Sequence, residues 1–378
     1  MSDSWKVSSS FPLDFSVKIV NGILSSESRD LLEHGSSSRR LVFVDSNVFI
    51  HFGKNIHQYF VDHHIDSKII PIDISEDNKN LDTLLFILNS IENFGLLRRS
   101  EPIIAIGGGV LLDIVGFAAS TFRRSVPYIK VPTTLLSIVD ASIGIKTSIN
   151  HFGRRNRLGS YYAPLAAYLD ISFLKTLPPS EIHQALGEII KMAVIKNDYL
   201  FDFLEKNLNF LLSTKFSQGD LSKEVIFLSI DDMIKELEPN LWEANLERIV
   251  DFGHSFSPLL EMNSLSDNDV DTLSHGEAVA LDIIFSSCLS VSRGLLDKSS
   301  LDRVINLCRK SFLPVYHPYF ANPILLWESL LDTVRHRNDN QHLPIPVSIG
   351  EACFLNDVTL EDVRSTSLLY SSCTRPPQ

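Results

Sequence analysis

No run of the sequence is apolar over the roughly 18 to 20 residues that a membrane-crossing helix needs. The opening stretch MSDSWKVSSSFPLDF lacks the basic and apolar regions of a secretory signal, so the expected location is the cytoplasm, with no membrane partner. Cysteine is scarce: Cys288, Cys308, Cys353 and Cys373 show no CxxC spacing and read as free thiols in a reducing compartment. Positive charge is outnumbered, with 34 Lys and Arg against 46 Asp and Glu and a formal net charge of -12. That balance argues against a nucleic-acid partner, although local basic clusters still suit phosphate esters. No internal repeat is visible. What remains is an ordinary globular composition, 44% hydrophobic and 21% charged, in 378 residues, enough for two domains.

Up to about residue 170, short β-branched runs alternate with helical patterns. Residues 41–45, 68–72, 102–106 and 128–131 read as strands, and Pro71 favours a sheet edge for the second. Leu81, Leu84, Leu85, Ile87, Leu88 and Ile91 recur at helical spacing. The alternation predicts an α/β, Rossmann-like domain with a parallel sheet covered by helices. Beyond Pro178-Pro179 the pattern is mainly α-helical, as over 181–206 and 275–294, with few strand candidates. The expected domains are therefore 1–177 and 178–378, with a loose tail from residue 371.

The segment Ile103-Ile104-Ala105-Ile106-Gly107-Gly108-Gly109-Val110-Leu111-Leu112-Asp113 places a glycine turn between a strand and a helix start. Glycines let a backbone approach a pyrophosphate, and a helix N-terminus offers unpaired N–H groups. The spacing is not GxGxxG, so a bare strand-to-helix turn is an equal alternative for the glycines alone. Asp45, ending an earlier strand, suits a ribose; Glu76 and Lys79 precede a helix. Each by itself reads equally as a solvated residue or a cap. Their order along the chain is what gives them weight.

From about residue 40 to about residue 360 the sequence resembles the dehydroquinate synthase superfamily, and within it the sedoheptulose 7-phosphate cyclases. The shared strings are SEDNK at 75–79, GGGVLLDIVGFAAS at 107–120, VPTTLLSIVDASIGIKTSIN at 131–150 and RRNRLGSYYAP at 154–164. GEIIKMAVIK at 187–196, DFGHSFSP at 251–258 and HGEAVALD at 275–282 continue the series. The resemblance implies NAD+ bound by Asp45, Glu76, Lys79, Gly108, Gly109, Asp113, Thr133, Thr134, Leu135 and Arg155. Asp140 and Lys146 are implied where nicotinamide meets substrate. Glu188, His254 and His275 are implied ligands of one divalent metal, Zn2+ or Co2+; their spacing alone would not reveal the set. Arg124, Lys146, Asn156 and Lys191 are implied to grip a phosphate and sugar hydroxyls. A solvated basic pair is the plain alternative for Arg123-Arg124. The implied reaction is a cyclisation: a ring carbon is transiently oxidised by NAD+, phosphate is eliminated, the carbonyl is reduced again, and an intramolecular aldol step closes a carbocycle. A homodimer is the family expectation.

Departures from the dehydroquinate synthase pattern concern its carboxylate-binding cations. Glu247 and Met233 stand in arginine and lysine slots, Pro258 in a histidine slot and His336 in a lysine slot. A carboxylated substrate would then lack partners, whereas the neutral hydroxymethyl end of sedoheptulose 7-phosphate fits. The strings ELEPNLWE at 236–243 and RHRNDNQHLPIP at 335–346 resemble the 2-epi-5-epi-valiolone synthase subfamily, with Asp251 and His336 expected to shape the product. The alternatives are 2-epi-valiolone and desmethyl-4-deoxygadusol synthases, 3-dehydroquinate synthase, a metal-dependent polyol dehydrogenase and a non-catalytic paralogue.

Overall fold

A computed structural model describes residues 4–9, 12–265 and 267–375. The strands are β1 (Ser16–Val20), β2 (Arg39–Asp45), β3 (Asp66–Ile72), β4 (Ile103–Gly107), β5 (Tyr128–Pro132), β6 (Lys146–His151), β7 (Arg154–Tyr161), β8 (Ala166–Asp170), β9 (Leu343–Ser348) and β10 (Glu351–Leu355). The helices are α1 (Ser46–Asp62), α2 (Leu81–Phe94), α3 (Gly109–Thr121), α4 (Pro179–Lys196), α5 (Asp198–Ser213), α6 (Asp220–Leu237), α7 (Ser257–Ser264), α8 (His275–Ser292), α9 (Lys298–Lys310), α10 (Pro323–His336) and α11 (Leu360–Thr374). They form two compact units. The first runs to Val131 and resumes over Ile145–Leu169; the second comprises Pro132–Gly144 and the described chain from Asp170 onward. Pro178 is the N-cap of α4 and lies within the second unit.

The first unit is organised by a six-stranded sheet of order β1-β8-β5-β4-β2-β3. β2 pairs in parallel with both β3 and β4, and β5 pairs in parallel with β8. β4, β5 and β8 are buried along their whole length, as expected of parallel strands covered on both faces. Pro71 does lie on an edge strand, where its missing N–H breaks no ladder. On one side, Leu84, Ile87 and Ile91 of α2 and Leu112, Val115 and Ala119 of α3 pack into a core with Leu41, Phe43, Ile103 and Ala105. β6 and β7 form a separate antiparallel hairpin. Its largely polar sequence gave no strand signal.

The second unit is helical around α8, which is buried on all sides from Ala278 to Ser290. A helix apolar all round belongs at the centre of a bundle. The helical pattern over 181–206 is two helices, because Asn197 leaves the helical conformation (φ −148°) and its side chain accepts the Leu200 N–H at 2.9 Å, capping α5. A β9–β10 hairpin interrupts the helices. Residues 371–374 complete α11 and are not a loose tail: Tyr370 is buried and accepts Thr374 Oγ1 on its carbonyl. Residues 376–378 of that expected tail lie outside the described residues. Among the described residues, no helix is long and apolar enough to cross a membrane.

Candidate metal centre and dinucleotide site

In the first unit, β3 lies on one side of β2 and β4 on the other, so the winding of the sheet reverses between β2 and β4. The carboxyl ends of strands at such a reversal are where open α/β sheets bind ligands. Asp45 and the glycine turn end these two strands, close enough that a Cβ on Gly107 would stand 3.2 Å from Asp45 Cβ and 2.7 Å from Leu111 Cδ2. Gly108 is the N-cap of α3 and carries no side chain to occupy the first-turn N–H groups. Those donors suit a pyrophosphate. Asp45 Oδ1 accepts the Asn47 N–H at 2.8 Å, capping α1, and burial pushes the carboxyl above its ordinary pKa.

Behind the turn, polar contacts involve five expected residues. Lys79 is buried and donates to Asp113 Oδ2 and to Asn156 Oδ1, each at 2.6 Å. Asn156 Oδ1 also accepts Ser148 Oγ at 2.8 Å. Glu76 Oε1 accepts Asn150 Nδ2 at 2.8 Å and lies 3.6 Å from Arg155 Nε. Asn156, expected with the sugar-binding set, thus lies beside Lys79. Arg124 is exposed in a tight turn, where Arg123, Arg124 and Ser125 all have positive φ (47°, 60° and 95°). Three successive non-glycine residues in that region store backbone strain. Lys146 is exposed at the start of β6.

Thr133, Thr134, Leu135 and Asp140 belong to the second unit. Thr134 and Ser137 exchange backbone N–H to hydroxyl bonds, each 3.1 Å, at the start of a π-helical turn, Ser137–Ala141, that carries Asp140. Leu135 is fully buried. Thr133 Oγ1 is buried without a hydrogen-bond partner, a polar atom left for a ligand and consistent with NAD+.

The metal donors come together within the second unit. Glu188 Oε1 lies 3.5 Å from His254 Nε2 and 3.3 Å from His275 Nε2, and one donor atom from each residue lies within 4.8 Å of the others. Each imidazole is oriented through its other nitrogen, His275 Nδ1 by Glu261 Oε2 at 3.3 Å and His254 Nδ1 by the Phe252 carbonyl at 3.2 Å. Such outer partners fix ring direction in metal sites. Lys191, one helical turn along α4, sits 2.5 Å from Glu188 Oε2, leaving Oε1 facing the imidazoles. One carboxylate and two imidazoles suit Zn2+ or Co2+ and leave positions for substrate oxygens.

Electrostatics follow from this packing. Burial pushes the Glu188 carboxyl upward, but Lys191 and the two histidines outweigh it and hold it well below the usual range. Burial, aided by Lys191, pushes His254 down to about 4. For His275 burial works downward too, but Glu188 and Glu261 prevail and push it up to about 10.

The closeness of the donors rests on two glycines that sequence reasoning passed over. A Cβ on Gly187 would meet Gly276 O at 2.5 Å, and one on Gly276 would meet Gln184 O at 1.9 Å. The backbones of α4 and α8 therefore touch beside Glu188 and His275. The adjacent Gly-Glu and His-Gly pairs were the available signal. Glu261, Arg248 and Arg337 were also missed, since nothing in their spacing links them to the donors. Asp251 lies in the turn before His254 with Arg248 Nη2 at 2.5 Å and Arg337 Nη2 at 3.2 Å. His336 ends α10 and is half exposed, 3.6 Å from Asp332 on its own helix. Of the substituted slots, Met233 is buried, Pro258 lies in the first turn of α7, and Glu247 lies 3.7 Å from His342 Nδ1.

Comparison with known proteins matches residues 69–184 to the 3-dehydroquinate synthase N-terminal family and 185–337 to its C-terminal family. A 2-epi-5-epi-valiolone synthase from Streptomyces albus is 43% identical, over 97% of this chain and 90% of the relative. A demethyl-4-deoxygadusol synthase from Trichormus variabilis is 33% identical, over 97% and 90%. The structure of ValA, a 2-epi-5-epi-valiolone synthase from Streptomyces hygroscopicus subsp. jinggangensis with NAD+ and Zn2+ bound, superposes with a TM-score of 0.91 at 38% identity, covering 97% of this chain and 99% of that one. With both halves of the chain matched in order, it belongs to the 3-dehydroquinate synthase family.

Proposed function

We propose that this chain is a sugar-phosphate cyclase that converts sedoheptulose 7-phosphate to 2-epi-5-epi-valiolone with release of phosphate, using NAD+ and one Zn2+ or Co2+. The observation that carries the reading is the donor set Glu188, His254 and His275, with Lys191 on the far oxygen of Glu188, in a chain so similar to synthases of that name. When bound, the metal supplies a Lewis acid for a substrate oxygen and NAD+ supplies a reversible hydride acceptor. Lys191 keeps Glu188 ionised and limits it to one oxygen towards the metal. Glu261 and the Phe252 carbonyl aim the imidazoles. Gly108 and the first turn of α3 receive the pyrophosphate, Asp45 a ribose hydroxyl, and Lys79 with Asp113 and Asn156 braces the turn. In the first unit Arg124 and Lys146 are the proposed phosphate contacts; in the second, Asp140 is a proposed nicotinamide contact.

A substrate without a carboxylate is favoured by charge. Glu247 and Met233 supply no cation, and the nearby Arg248 is already paired with Glu243 and Asp251. A carboxylate would have to compete with those internal anions. The protein is further proposed to act as a cytoplasmic homodimer.

The test is to incubate zinc-loaded protein with NAD+ and sedoheptulose 7-phosphate, following phosphate release, NADH absorbance and product stereochemistry by NMR. Phosphate release without lasting NADH, giving the 2-epi-5-epi-valiolone isomer, is expected. Accumulating NADH would mean a dehydrogenase. Turnover of the carboxylated heptulosonate phosphate alone would mean a dehydroquinate synthase, and a desmethyl-4-deoxygadusol product the sister cyclase.

A further inference from the structure

The two histidine donors are held in different ways. His275 starts a long buried helix and has a carboxylate partner, whereas His254 sits on an irregular turn and its ring is aimed by one backbone carbonyl. The direction of His254 Nε2 therefore depends on where the Phe252 carbonyl points. That turn is tightly wound: Asp251 N–H donates to Arg248 O at 3.2 Å, Phe252 N–H to Ile249 O at 3.0 Å and His254 N–H to Asp251 O at 3.0 Å. Gly253 has φ +76°, and a Cβ there would meet Val279 at 3.0 Å, so the backbone has little room to adjust.

Downstream, the turn is tied to α8, since Asp282 accepts the N–H groups of Phe256 at 2.6 Å and Ser257 at 2.8 Å. Upstream, the fastening is ionic. Asp251 Oδ1 meets Arg248 Nη2 at 2.5 Å, while Oδ2 meets Arg337 Nη2 at 3.2 Å and Arg248 Nε at 3.4 Å. Both carboxylate oxygens are thus occupied by guanidinium nitrogens. The Arg337 side chain is only 8% exposed and its other arm donates to His342 O at 2.8 Å. Four residues earlier, Thr333 Oγ1 donates to Ser255 O at 3.0 Å, so the end of α10 grips the turn on both sides of His254.

We propose that Arg248, Asp251, Thr333 and Arg337 form a clamp that aims His254 at the metal, with Arg337 as a positioning residue and Asp251 as the clamp's internal anion. The proposal rests on reading Glu188, His254 and His275 as metal ligands. In this role Asp251 acts through the turn and not by touching the sugar phosphate. A buried guanidinium stripped of its carboxylate, or the carboxylate stripped of one guanidinium, is left with an uncompensated charge beside the turn and the turn relaxes. Arg337 is not replaceable by lysine without loss, because its planar fork reaches Asp251 and the His342 carbonyl at once.

The test uses the full chain and Zn2+ alone, with affinity read by competition against a chromophoric chelator and folding by thermal melts. Arg337→Met and Asp251→Asn should each weaken zinc by roughly 10- to 100-fold, the range for outer partners of metal ligands. Because the two residues act as one device, the double variant should be no weaker than the worse single. Arg337→Lys should recover part of the loss. At saturating zinc, Arg337→Met should regain the wild-type KM for sedoheptulose 7-phosphate. Zinc affinity of Arg337→Met indistinguishable from wild type would overturn the clamp. So would an Asp251→Asn variant with normal zinc affinity and a KM defect that zinc does not repair, which would place Asp251 on the substrate. If Arg337→Met does not fold, Thr333→Val removes a single hydrogen bond and should loosen zinc in the same direction; no change there would refute the proposal. A wild-type protein that binds no zinc would instead defeat the metal reading on which the clamp rests.

Discussion

Replacing Gly276 by alanine tests whether the α4–α8 backbone contact sets the spacing of the metal donors. The added Cβ would stand 1.9 Å from Gln184 O, 2.6 Å from Gln184 C and 2.8 Å from Gln184 Cα. All three are backbone atoms inside α4, so no side chain can swing aside. Restoring an ordinary contact of about 3.5 Å requires α8 to retreat by roughly 1.5 Å at its first turn. His275 is the residue before Gly276 and moves with it, whereas zinc tolerates only about 0.2 Å around a zinc–nitrogen distance of about 2.0–2.1 Å. The variant should therefore lose zinc affinity by at least the roughly 10- to 100-fold of a damaged outer partner. Overpacking should cost about 1–3 kcal/mol of stability, visible as a lower Tm in chelator-treated protein. Gly187→Ala, whose Cβ would meet Gly276 O at 2.5 Å, should fail in the same direction but less severely. Chelator competition and thermal melts on both variants decide the matter. A Gly276→Ala protein with wild-type zinc affinity would refute the idea that this contact spaces the donors.

Glu261→Gln keeps the shape of the His275 partner but removes its charge, so zinc affinity should fall roughly 10- to 100-fold with Tm little changed; equal affinity would show that Glu261 does not orient the ring. In the metal-free protein His275 is pushed up to about 10 by Glu188 and Glu261 against the effect of burial, whereas burial leaves His254 neutral above about 4. Zinc and the His275 proton then compete: affinity should rise with pH up to about 10, and binding at neutral pH should release about one proton. Calorimetry in buffers of different ionisation enthalpy measures that number, and no release would contradict it. Asp45→Asn preserves an N-cap for α1 but loses the carboxylate, so NAD+ should bind about 10-fold or more weakly at unchanged Tm, the equivalent of about 1.5–3 kcal/mol for a charged hydrogen bond. Asp45→Ala should also lose about 1 kcal/mol of stability. Equal NAD+ affinity in Asp45→Asn would remove Asp45 from the dinucleotide site.

Much of the fold was legible locally. The β3–α2–β4–α3 succession shows as two apolar runs either side of a helical repeat, followed by a glycine turn and a helix start, and Pro71 marks its own edge position. What escaped was structure without a periodic apolar signal. The β6–β7 hairpin is largely polar, and the break between α4 and α5 depends on one asparagine cap. In the site, the sequence offered candidate residues but not the partners each side chain takes. Lys191 and Asn156 are expected on the sugar, and in the folded chain Lys191 also pairs with Glu188 and Asn156 accepts from Lys79. A lysine inside a protein settles on the anion within reach, and the sequence does not say which anion that is.

The sequence by itself determined the building blocks: a parallel-sheet unit with a glycine turn at a strand end, a helical unit after it, and scattered ordered motifs that carry the family resemblance. Only tertiary structure decided that Glu188, His254 and His275 face one another, because they come from three separate segments. Their approach depends on two glycines that let α4 and α8 touch and on the arginine-held turn that carries His254. Local periodicity is set by backbone geometry within an element, but a metal site is set by distances between elements, and those are fixed only when the core packs.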